Sequence, residues 1–515
     1  MTGKFYRLGA QCLLGSLFAV CVYRAFTQSI VYDEALTWQL YILGPVSNIF
    51  RVFHANHHFL NTVLARLSTA VFGVSEWSMR LPALAGAALY FTACYRFART
   101  AFGDGFSMLL AVALATLNPL VLDFMVAARG YGLALALWMW AAALLLDAFS
   151  RQAFKPLQMV AAGSALALAV TANLLFVLPA AALAGITVFL IRDRSASPPA
   201  PSPVGPIKPV VPARPRAARK KKKFTPSPRA PKSSSASWAW FALPIIAIAV
   251  LFFALAPVES MRSEHFYTGV PTIRQSLRSF ASSSLEHSGP LRDQSWIRYW
   301  ADAVAFVIAP LAVAAGLLIG ILRRNLALIL PAVTVVFSSI ASLLIHVSLD
   351  KPYPSDRTGI YFLPLVTLTL MGLAHVWKGH QVVGQAASIA AYTVGVLILV
   401  NFVAEFNTRK FLVWEYDADT RLIGEYVAAH RPQGQEIVRV GGSWQLQESL
   451  MYYAVVRNWT WIELRKDQPT SGVDYYALTP WDRPTVEREF GLKEIYRGPV
   501  SGSALATPQP AVAAR

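Results

Sequence analysis

The chain has 515 residues, of which 55% are hydrophobic and only 14% are charged, and its formal net charge is +18. Soluble domains carry about 25% charged residues, whereas the stretch 156–191 contains no charged side chain. Because a helix needs roughly 20 apolar residues to cross a bilayer, this composition excludes an ordinary soluble protein and predicts a polytopic membrane protein.

Apolar segments recur along most of the chain and predict an all-α membrane domain of about eleven transmembrane helices. They are centred on 8–29, 81–99, 106–122, 130–147, 156–172, 174–191, 238–256, 299–321, 325–347, 358–375 and 381–403. Lysines and arginines collect in alternate loops between these segments, which places the N-terminus in the cytoplasm. We therefore expect a multi-pass membrane protein with a cytoplasmic N-terminus and a C-terminal part that faces outward.

The first half contains two segments that do not fit a simple span. Region 1–191 is predicted to be the first membrane region, with an outer loop and a surface helix at 30–80. The apolar stretch 58–72 is short for a crossing, which favours an amphipathic helix on the outer surface. The basic, Pro-rich stretch 192–237 predicts a disordered cytoplasmic linker. It serves either as a topological anchor or as a tether to anionic lipids, and in a membrane protein it does not indicate nucleic-acid binding.

A second membrane region is predicted at 238–404, with an outer loop at 257–295. Charges return after the last apolar segment, and short apolar runs alternate with helical patterns over 405–501. This pattern predicts a small extracytoplasmic α/β domain. The Ala- and Pro-rich stretch 502–515 is expected to be a flexible tail.

Two adjacent acids, Asp33 and Glu34, follow the first predicted membrane helix. A carboxylate at this position could take the proton of an acceptor hydroxyl. The pair could instead share a divalent cation such as Mg²⁺ or Mn²⁺, or could simply be solvated at the end of a helix.

Basic and aromatic residues fall in the loops on the same predicted face. Arg129 between two membrane helices could pair with a phosphate or extend its side chain to the membrane surface. His57 and His58 are candidates for contact with a substrate or a metal, although an ordinary interfacial role is open. Lys351 and Arg357 could hold a phosphate or belong to an ordinary turn.

Several of these residues lie within an ordered series of motifs. The series begins with Asp33-Glu34 and continues with Phe-Gly-Val-Ser-Glu-Trp-Ser-Met-Arg-Leu-Pro-Ala at 72–83, the stretch 96–103, Asn118-Pro119 and Ala128-Arg129-Gly130-Tyr131. The series resembles the GT-C superfamily of glycosyltransferases. Within it, the likeness is to the branch of the bacterial protein O-mannosyltransferases and the lipid A aminoarabinose transferase.

The resemblance implies a polyprenyl-phosphate-linked sugar donor and an inverting transfer of the hexosyltransferase type to an acceptor hydroxyl. Because the similar motifs are those of bacterial members, it also implies a bacterial inner-membrane location. Asp33 would be the base, while Arg129 and Tyr131 would contact the donor phosphate that becomes the leaving group. Positive charge near this phosphate would stabilise the charge that develops on it. Many relatives carry an acid directly before the Ala-Arg pair. Here the nearest acid is Asp123, which we therefore include as a catalytic candidate with Glu34.

Three other functions remain open at this point. A transporter or flippase of lipid-linked glycans is disfavoured, because such proteins place polar residues near the membrane midplane rather than at one surface. A non-catalytic glycan-assembly subunit with the same fold is not excluded by the fold. A polymerase or ligase of lipid-linked oligosaccharides would share the donor chemistry and transfer a longer glycan.

Overall fold

The structure is a computed structural model that describes residues 3–196, 237–257, 269–286, 294–377, 382–466 and 469–509. The predicted linker at 192–237 lies almost wholly outside the described residues. Parts of the predicted outer loop at 257–295 and the end of the predicted tail also lie outside them.

The membrane region is built from helices in both halves of the chain. Those of the first half are α1 (Gly3–Thr27), α2 (Tyr32–Thr37), α3 (Asn48–Arg51), α4 (Phe59–Phe72), α5 (Glu76–Phe102), α6 (Phe106–Thr116), α7 (Pro119–Phe124), α8 (Gly130–Ser150), α9 (Pro156–Ala172) and α10 (Val177–Ala196). Those of the second half are α11 (Ser237–Leu255), α12 (Ile273–Leu285), α13 (Ser295–Ala303), α14 (Ala309–Arg323), α15 (Leu326–Leu349), α16 (Phe362–Trp377) and α17 (Val382–Ala404). A π-helix (Trp38–Leu43) continues α2, and another (Val304–Ile308) joins α13 to α14.

Within the described residues, seven helical stretches are long and apolar enough to cross a membrane. They are Gly3–Thr27, Gly130–Ser150, Leu174–Arg192, Ser237–Leu255, Ser295–Arg323, Leu326–Leu349 and Val382–Ala404. The other predicted segments are helical as well, although α6, α9 and α16 are shorter. The chain is therefore a multi-pass, predominantly helical membrane protein, as predicted.

The predicted span at 106–122 is divided between α6 and α7. Pro119 has no amide hydrogen and cannot continue a helix from α6. It occupies the first turn of α7, where an amide hydrogen would have no acceptor within the helix. The side chain of Asn118 accepts a hydrogen bond from the Val121 amide at 3.1 Å and begins the new helix.

The sequence motif at 72–83 forms the turn between α4 and α5 and the first residues of α5. Gly73 has a φ of +78°, and Ser75 caps the helix by accepting a hydrogen bond from the Ser78 amide. Pro82 inside the helix leaves the Ser78 carbonyl without its usual partner four residues later. The Ser68 hydroxyl of α4 donates to this carbonyl at 2.6 Å and so ties α4 to α5.

Helix α4 coincides with the segment that was predicted to lie on the membrane surface. Asn61 and Thr62 are buried against the protein, whereas Val71 is 73% exposed and Leu67 is 58% exposed. An outward apolar face and an inward polar face fit the predicted position against lipid.

The C-terminal part is the predicted small α/β domain. It contains α18 (Thr420–Ala429), α19 (Trp444–Val456), α20 (Arg483–Phe490) and five strands, β1 (Val438–Gly442), β2 (Ile462–Leu464), β3 (Tyr475–Leu478), β4 (Leu492–Arg497) and β5 (Ala504–Pro508). The sheet order is β2-β1-β3-β5-β4, with β1 parallel to β2 and β3, and β5 antiparallel to β3 and β4. The boundary predicted at 501 is thus too early, because β5 lies inside the sheet.

The C-terminal domain contacts the segment that joins α1 to α2. The Ile30 amide donates to the Tyr453 hydroxyl at 2.8 Å, and the Tyr32 amide donates to the Asp417 carboxyl at 2.7 Å. The Ser29 hydroxyl donates to the Ala418 carbonyl at 2.9 Å. The position of α2, which carries both candidate acids, therefore depends on residues 385 to 423 positions further along the chain.

Candidate active site

Glu34 is fixed on all sides. Arg80 Nε and Nη2 donate to its two carboxylate oxygens at 3.0 and 2.6 Å, and both side chains are 0% exposed. The amides of Ala128 and Val31 donate to the same carboxylate at 2.6 and 3.1 Å. Glu34 thus ties α2 to α5 and to the turn that precedes α8.

Two glycines allow the turn before α8 to pack tightly. A Cβ atom on Gly130 would lie 1.9 Å from the Ala172 carbonyl oxygen, and one on Gly132 would lie 1.9 Å from the Phe124 carbonyl oxygen. Only glycine permits these approaches. As a result, Arg129, the residue before α8, is buried beside α2.

Asp33 has different surroundings from its neighbour. Its Oδ1 accepts a hydrogen bond from Asn56 Nδ2 at 3.3 Å. Its Oδ2 lies 3.5 Å from Arg129 Nη2 and 3.6 Å from Arg357 Nη2. Within the described residues, Oδ2 has no hydrogen-bond donor. One oxygen is therefore oriented by an amide, and the other lies between two guanidinium groups without being hydrogen-bonded.

The charges around Asp33 determine its protonation state. Burial alone would raise the pKa of Asp33, but Arg129 and Arg357, together with the Asn56 hydrogen bond, hold it below its ordinary value. Asp33 is therefore ionised at neutral pH. Arg357 is also held from its other side, since its guanidinium lies 5.3 Å from the centre of the Trp414 ring.

Asn56 links the acid to the arginine. Besides donating to Asp33, it accepts a hydrogen bond from Arg129 Nη2 at 2.8 Å on its side-chain oxygen. The sequence predicted His57 and His58 as site residues but not Asn56, which directly precedes them. The sequence signal that could have identified Asn56 is its position next to the two histidines, since an amide side chain can donate and accept hydrogen bonds at once.

The two histidines are buried beside this network. His57 stacks on Tyr41 with ring centres 4.4 Å apart, and His58 meets Tyr131 edge-on at 5.0 Å. Burial, together with the neighbouring His54, lowers the pKa of His57 to about 4. Burial and the nearby Arg129 lower the pKa of His58 well below its ordinary value. Both rings are therefore neutral at pH 7.

The remaining candidates lie in other surroundings. Asp123 is buried and binds Arg24 and the Leu412 amide, which joins α7 to α1 and to the segment after α17. Tyr131 is buried against His58. Lys351 is exposed in the loop after α15, and its carbonyl is bonded to the His346 ring. The structure thus brings Arg129 and Arg357 to Asp33 but leaves Lys351 outside this group.

A further buried acid, Asp417, was not predicted. It accepts hydrogen bonds from the Tyr32 amide at the start of α2 and from the Thr420 hydroxyl at 3.0 Å. Burial raises the pKa of Asp417 to about 8, so the group is largely neutral at pH 7. No local sequence pattern marks this contact, because its partner lies on α2.

The residues around Asp33 do not form the oxygen cage that Mg²⁺ or Mn²⁺ prefers. Arg129 and Arg357 face Asp33, and Arg80 occupies both oxygens of Glu34. The described part of the chain contains no group of three or more His, Cys, Asp or Glu side chains placed to hold a metal ion. The divalent cation stays a prediction.

Comparison with known proteins gives a family for part of the chain. Residues 56–201 match the family described as dolichyl-phosphate-mannose-protein mannosyltransferase. The matched stretch includes His57, His58, Asp123, Arg129 and Tyr131. No curated protein matches the chain.

Solved structures with a similar arrangement are distant in sequence. ArnT from Cupriavidus metallidurans bound to undecaprenyl phosphate is 12% identical, with a TM-score of 0.44 over 97% of this chain and 98% of that chain. The Archaeoglobus fulgidus oligosaccharyltransferase in complex with Zn and sulfate is 13% identical, with a TM-score of 0.40 over 96% of this chain and 73% of that chain. Arabinosyltransferase EmbB from Mycobacterium smegmatis is 12% identical, with a TM-score of 0.42 over 80% of this chain and 41% of that chain. The family match over residues 56–201 confirms the resemblance of this chain to the GT-C glycosyltransferases.

Proposed function

We propose that this membrane protein is an inverting glycosyltransferase of the hexosyltransferase type, which moves a sugar from a polyprenyl-phosphate donor to an acceptor hydroxyl. We place the reaction at the extracytoplasmic face of a bacterial inner membrane. The observation that supports the proposal is the position of Asp33 between two arginines. Arg129 is buried at the turn before α8, and Arg357 is half-buried in the loop before α16.

In this mechanism the donor phosphate binds to Arg129 and Arg357. Guanidinium groups bind phosphate oxygens in charge-assisted pairs, and their attraction to the phosphate competes with their attraction to Asp33. The contacts of Arg129 and Arg357 with Asp33 Oδ2 are 3.5 Å or longer. They are therefore weak, and contacts with the phosphate can replace them. Donor binding would thereby leave Oδ2 free to accept a hydrogen bond from the acceptor hydroxyl.

The transfer step follows from this arrangement. The acceptor oxygen forms a bond to the anomeric carbon on the face opposite the phosphate, and its proton passes to Asp33 Oδ2. The bond between the anomeric carbon and the phosphate oxygen breaks, and its electron pair leaves with the polyprenyl phosphate. Arg129 and Arg357 stabilise the charge that develops there. Asn56 orients both Asp33 and Arg129, and Glu34 acts by holding α2 in place.

An apolar cavity supports a donor with a long hydrocarbon carrier. It has a volume of about 420 Å³ and lies among α12, α14, α15, α16 and α17, with Phe280 and Phe362 in its lining. Tyr353 and Pro354 of the loop before α16 also line it, and the same loop carries Arg357. An apolar chain in this cavity would thus lie next to the loop that contributes one of the phosphate-binding arginines.

The experiment must separate transfer from transport. The full-length protein is reconstituted in vesicles with a radiolabelled polyprenyl-phosphate sugar and a bacterial envelope extract as the source of acceptors. The proposal expects labelled sugar on an acceptor together with an equal amount of free polyprenyl phosphate. Movement of intact donor between leaflets without its cleavage would support a flippase instead and would overturn the proposal.

A further inference from the structure

A second cavity lies far from the candidate active site, between the C-terminal halves of α5 and α8. It has a volume of about 540 Å³ and is lined by Thr92, Tyr95, Arg96, Arg99, Thr100, Trp140, Asp147, Ser150 and Arg151. The lining residues on α5 are three or four positions apart, a spacing typical of one face of a helix. Those on α8 also lie on one side of that helix. Since α5 and α8 pack together, the two faces form one groove.

The position of the groove along the helices places it at the opposite membrane surface. Arg80, near the start of α5, binds Glu34, and Arg129 directly precedes α8. Arg99 is 19 residues beyond Arg80 on the same helix, which corresponds to about 28 Å at a rise of 1.5 Å per residue. The hydrocarbon core of a bilayer is about 30 Å thick, so the groove lies where the lipid head groups of the other leaflet begin.

Charge in the groove favours an anion. Three guanidinium groups face one carboxylate, and Asp147 is already bound by Arg96 Nη2 at 3.0 Å and by Arg151 Nε at 2.7 Å. Arg99 binds Asp104 at 3.1 Å outside the lining. The side chains of Arg99 and Arg151 are 48% and 74% exposed, which leaves donors of both available.

Aromatic residues complete a site for a lipid rather than for a free anion. Trp140 lies in the same groove, and the Arg96 guanidinium is 5.7 Å from the centre of its ring. Trp140 is 11 residues from Arg151, so the groove extends roughly 16 Å along α8 toward the membrane core. Most of the exposed lining is apolar. A phosphate at the arginines would therefore have space for acyl chains beside Trp140 and Tyr95.

We propose that this groove binds the head group of an anionic phospholipid in the leaflet opposite the candidate active site. Arg99 and Arg151 contact the lipid phosphate, Arg96 keeps Asp147 neutralised, and Trp140 packs along the first part of an acyl chain. This role does not depend on the proposed transferase reaction, since none of these residues belongs to that site.

The test is native mass spectrometry of the full-length protein with phosphatidylglycerol and phosphatidylcholine at equal concentration. The double variant Arg99→Gln/Arg151→Gln preserves the Arg96–Asp147 ion pair. The control Arg323→Gln/Arg324→Gln removes two arginines at the end of α14 and in the turn before α15, which the charge pattern places at the same membrane surface. Both proteins retain the basic stretch 192–237, so any lipid that it attracts is common to both.

The proposal expects wild type and control to bind phosphatidylglycerol in preference to phosphatidylcholine. The double variant should bind the first phosphatidylglycerol molecule roughly 30-fold more weakly, because each arginine near a lipid surface contributes about 1 kcal/mol. Equal weakening in the control would show general charge attraction and would overturn the proposal. Displacement of the lipid by an equal concentration of inorganic phosphate would also overturn it, since the site would then recognise the free anion.

Discussion

Arg80 and Glu34 form a bidentate ion pair in which neither side chain is exposed to solvent. Glu34 belongs to α2 and Arg80 to α5, so the pair sets the position of α2 relative to the main helical bundle. Asp33, the next residue on α2, is thereby held opposite Arg129. Two adjacent acids thus have separate proposed roles, one in positioning and one in chemistry.

Loss of this ion pair should destabilise the protein strongly. Glu34→Gln leaves Arg80 charged and buried without its partner, and breaking a buried pair in this way costs about 3–5 kcal/mol. The matched control is Glu463→Gln, which removes exposed ion pairs with Arg439 and Arg465 and should change the stability by about 1 kcal/mol or less. Thermal unfolding in detergent measures both. An equal effect of the two substitutions would contradict the positioning role of Glu34.

Gly132→Ala should disrupt the turn that places Arg129. The added methyl group would lie 1.9 Å from the Phe124 carbonyl oxygen, so α7 or α8 must move. The control is Gly15→Ala in α1, where an added Cβ meets nothing within 4 Å. Since alanine is favoured over glycine within helices by about 1 kcal/mol, the control should be neutral or stabilising. Thermal unfolding and sugar transfer together measure the effect, and an unchanged Gly132→Ala protein would contradict the close approach.

The helical membrane region could be predicted from the sequence because a continuous stretch of about 20 uncharged apolar residues is typical of a transmembrane helix. Asp33 and Arg129 could be placed on one face by the same reasoning, since helix ends alternate between the two sides of a membrane. The contact of Asp123 with Arg24 and that of Asp417 with the Tyr32 amide could not be predicted. Both contacts depend on tertiary packing between segments that are far apart in the sequence. Hydrophobic periodicity indicates single helices and strands and does not indicate such contacts.

The stability of the wild-type protein should fall as the pH rises toward 8. Asp417 has a pKa of about 8 in the folded protein, because of burial, against an ordinary value of 3.8. Between these values the folded state binds one more proton than the unfolded state, so this group lowers the stability by about 1.4 kcal/mol per pH unit. Its contribution levels off only well above pH 8, once the group is fully ionised in the folded state as well.

Asp417→Asn removes this titration while keeping an oxygen for the Tyr32 amide. Thermal unfolding at pH 6, 7 and 8 should therefore show a smaller decrease for the variant than for wild type. Identical pH dependence of the two proteins would show that Asp417 is not protonated in the folded state.

Arg357→Gln should change the pH dependence of sugar transfer as well as its rate. Arg357 is one of the two guanidinium groups that lower the pKa of Asp33, so its loss raises that pKa. The acidic limb of the pH–rate profile should then shift to higher pH, because Asp33 must be ionised to act as the base. Weaker binding of the donor should accompany the shift. The control is Arg409→Gln, at a residue after α17 that lies outside the candidate site, and it should leave the profile unchanged.

The most direct test of the proposed mechanism is sugar transfer by Asp33→Asn, with donor binding measured on the same preparation. Asparagine preserves the size of the side chain but cannot take the acceptor proton. The account predicts that transfer falls by about 100-fold or more, as for the loss of a general base, while labelled donor still binds. The control Glu425→Gln removes an acid from an exposed ion pair with Arg457 and should transfer sugar at the wild-type rate. Transfer by Asp33→Asn at the wild-type rate would contradict the assignment of Asp33 as the base.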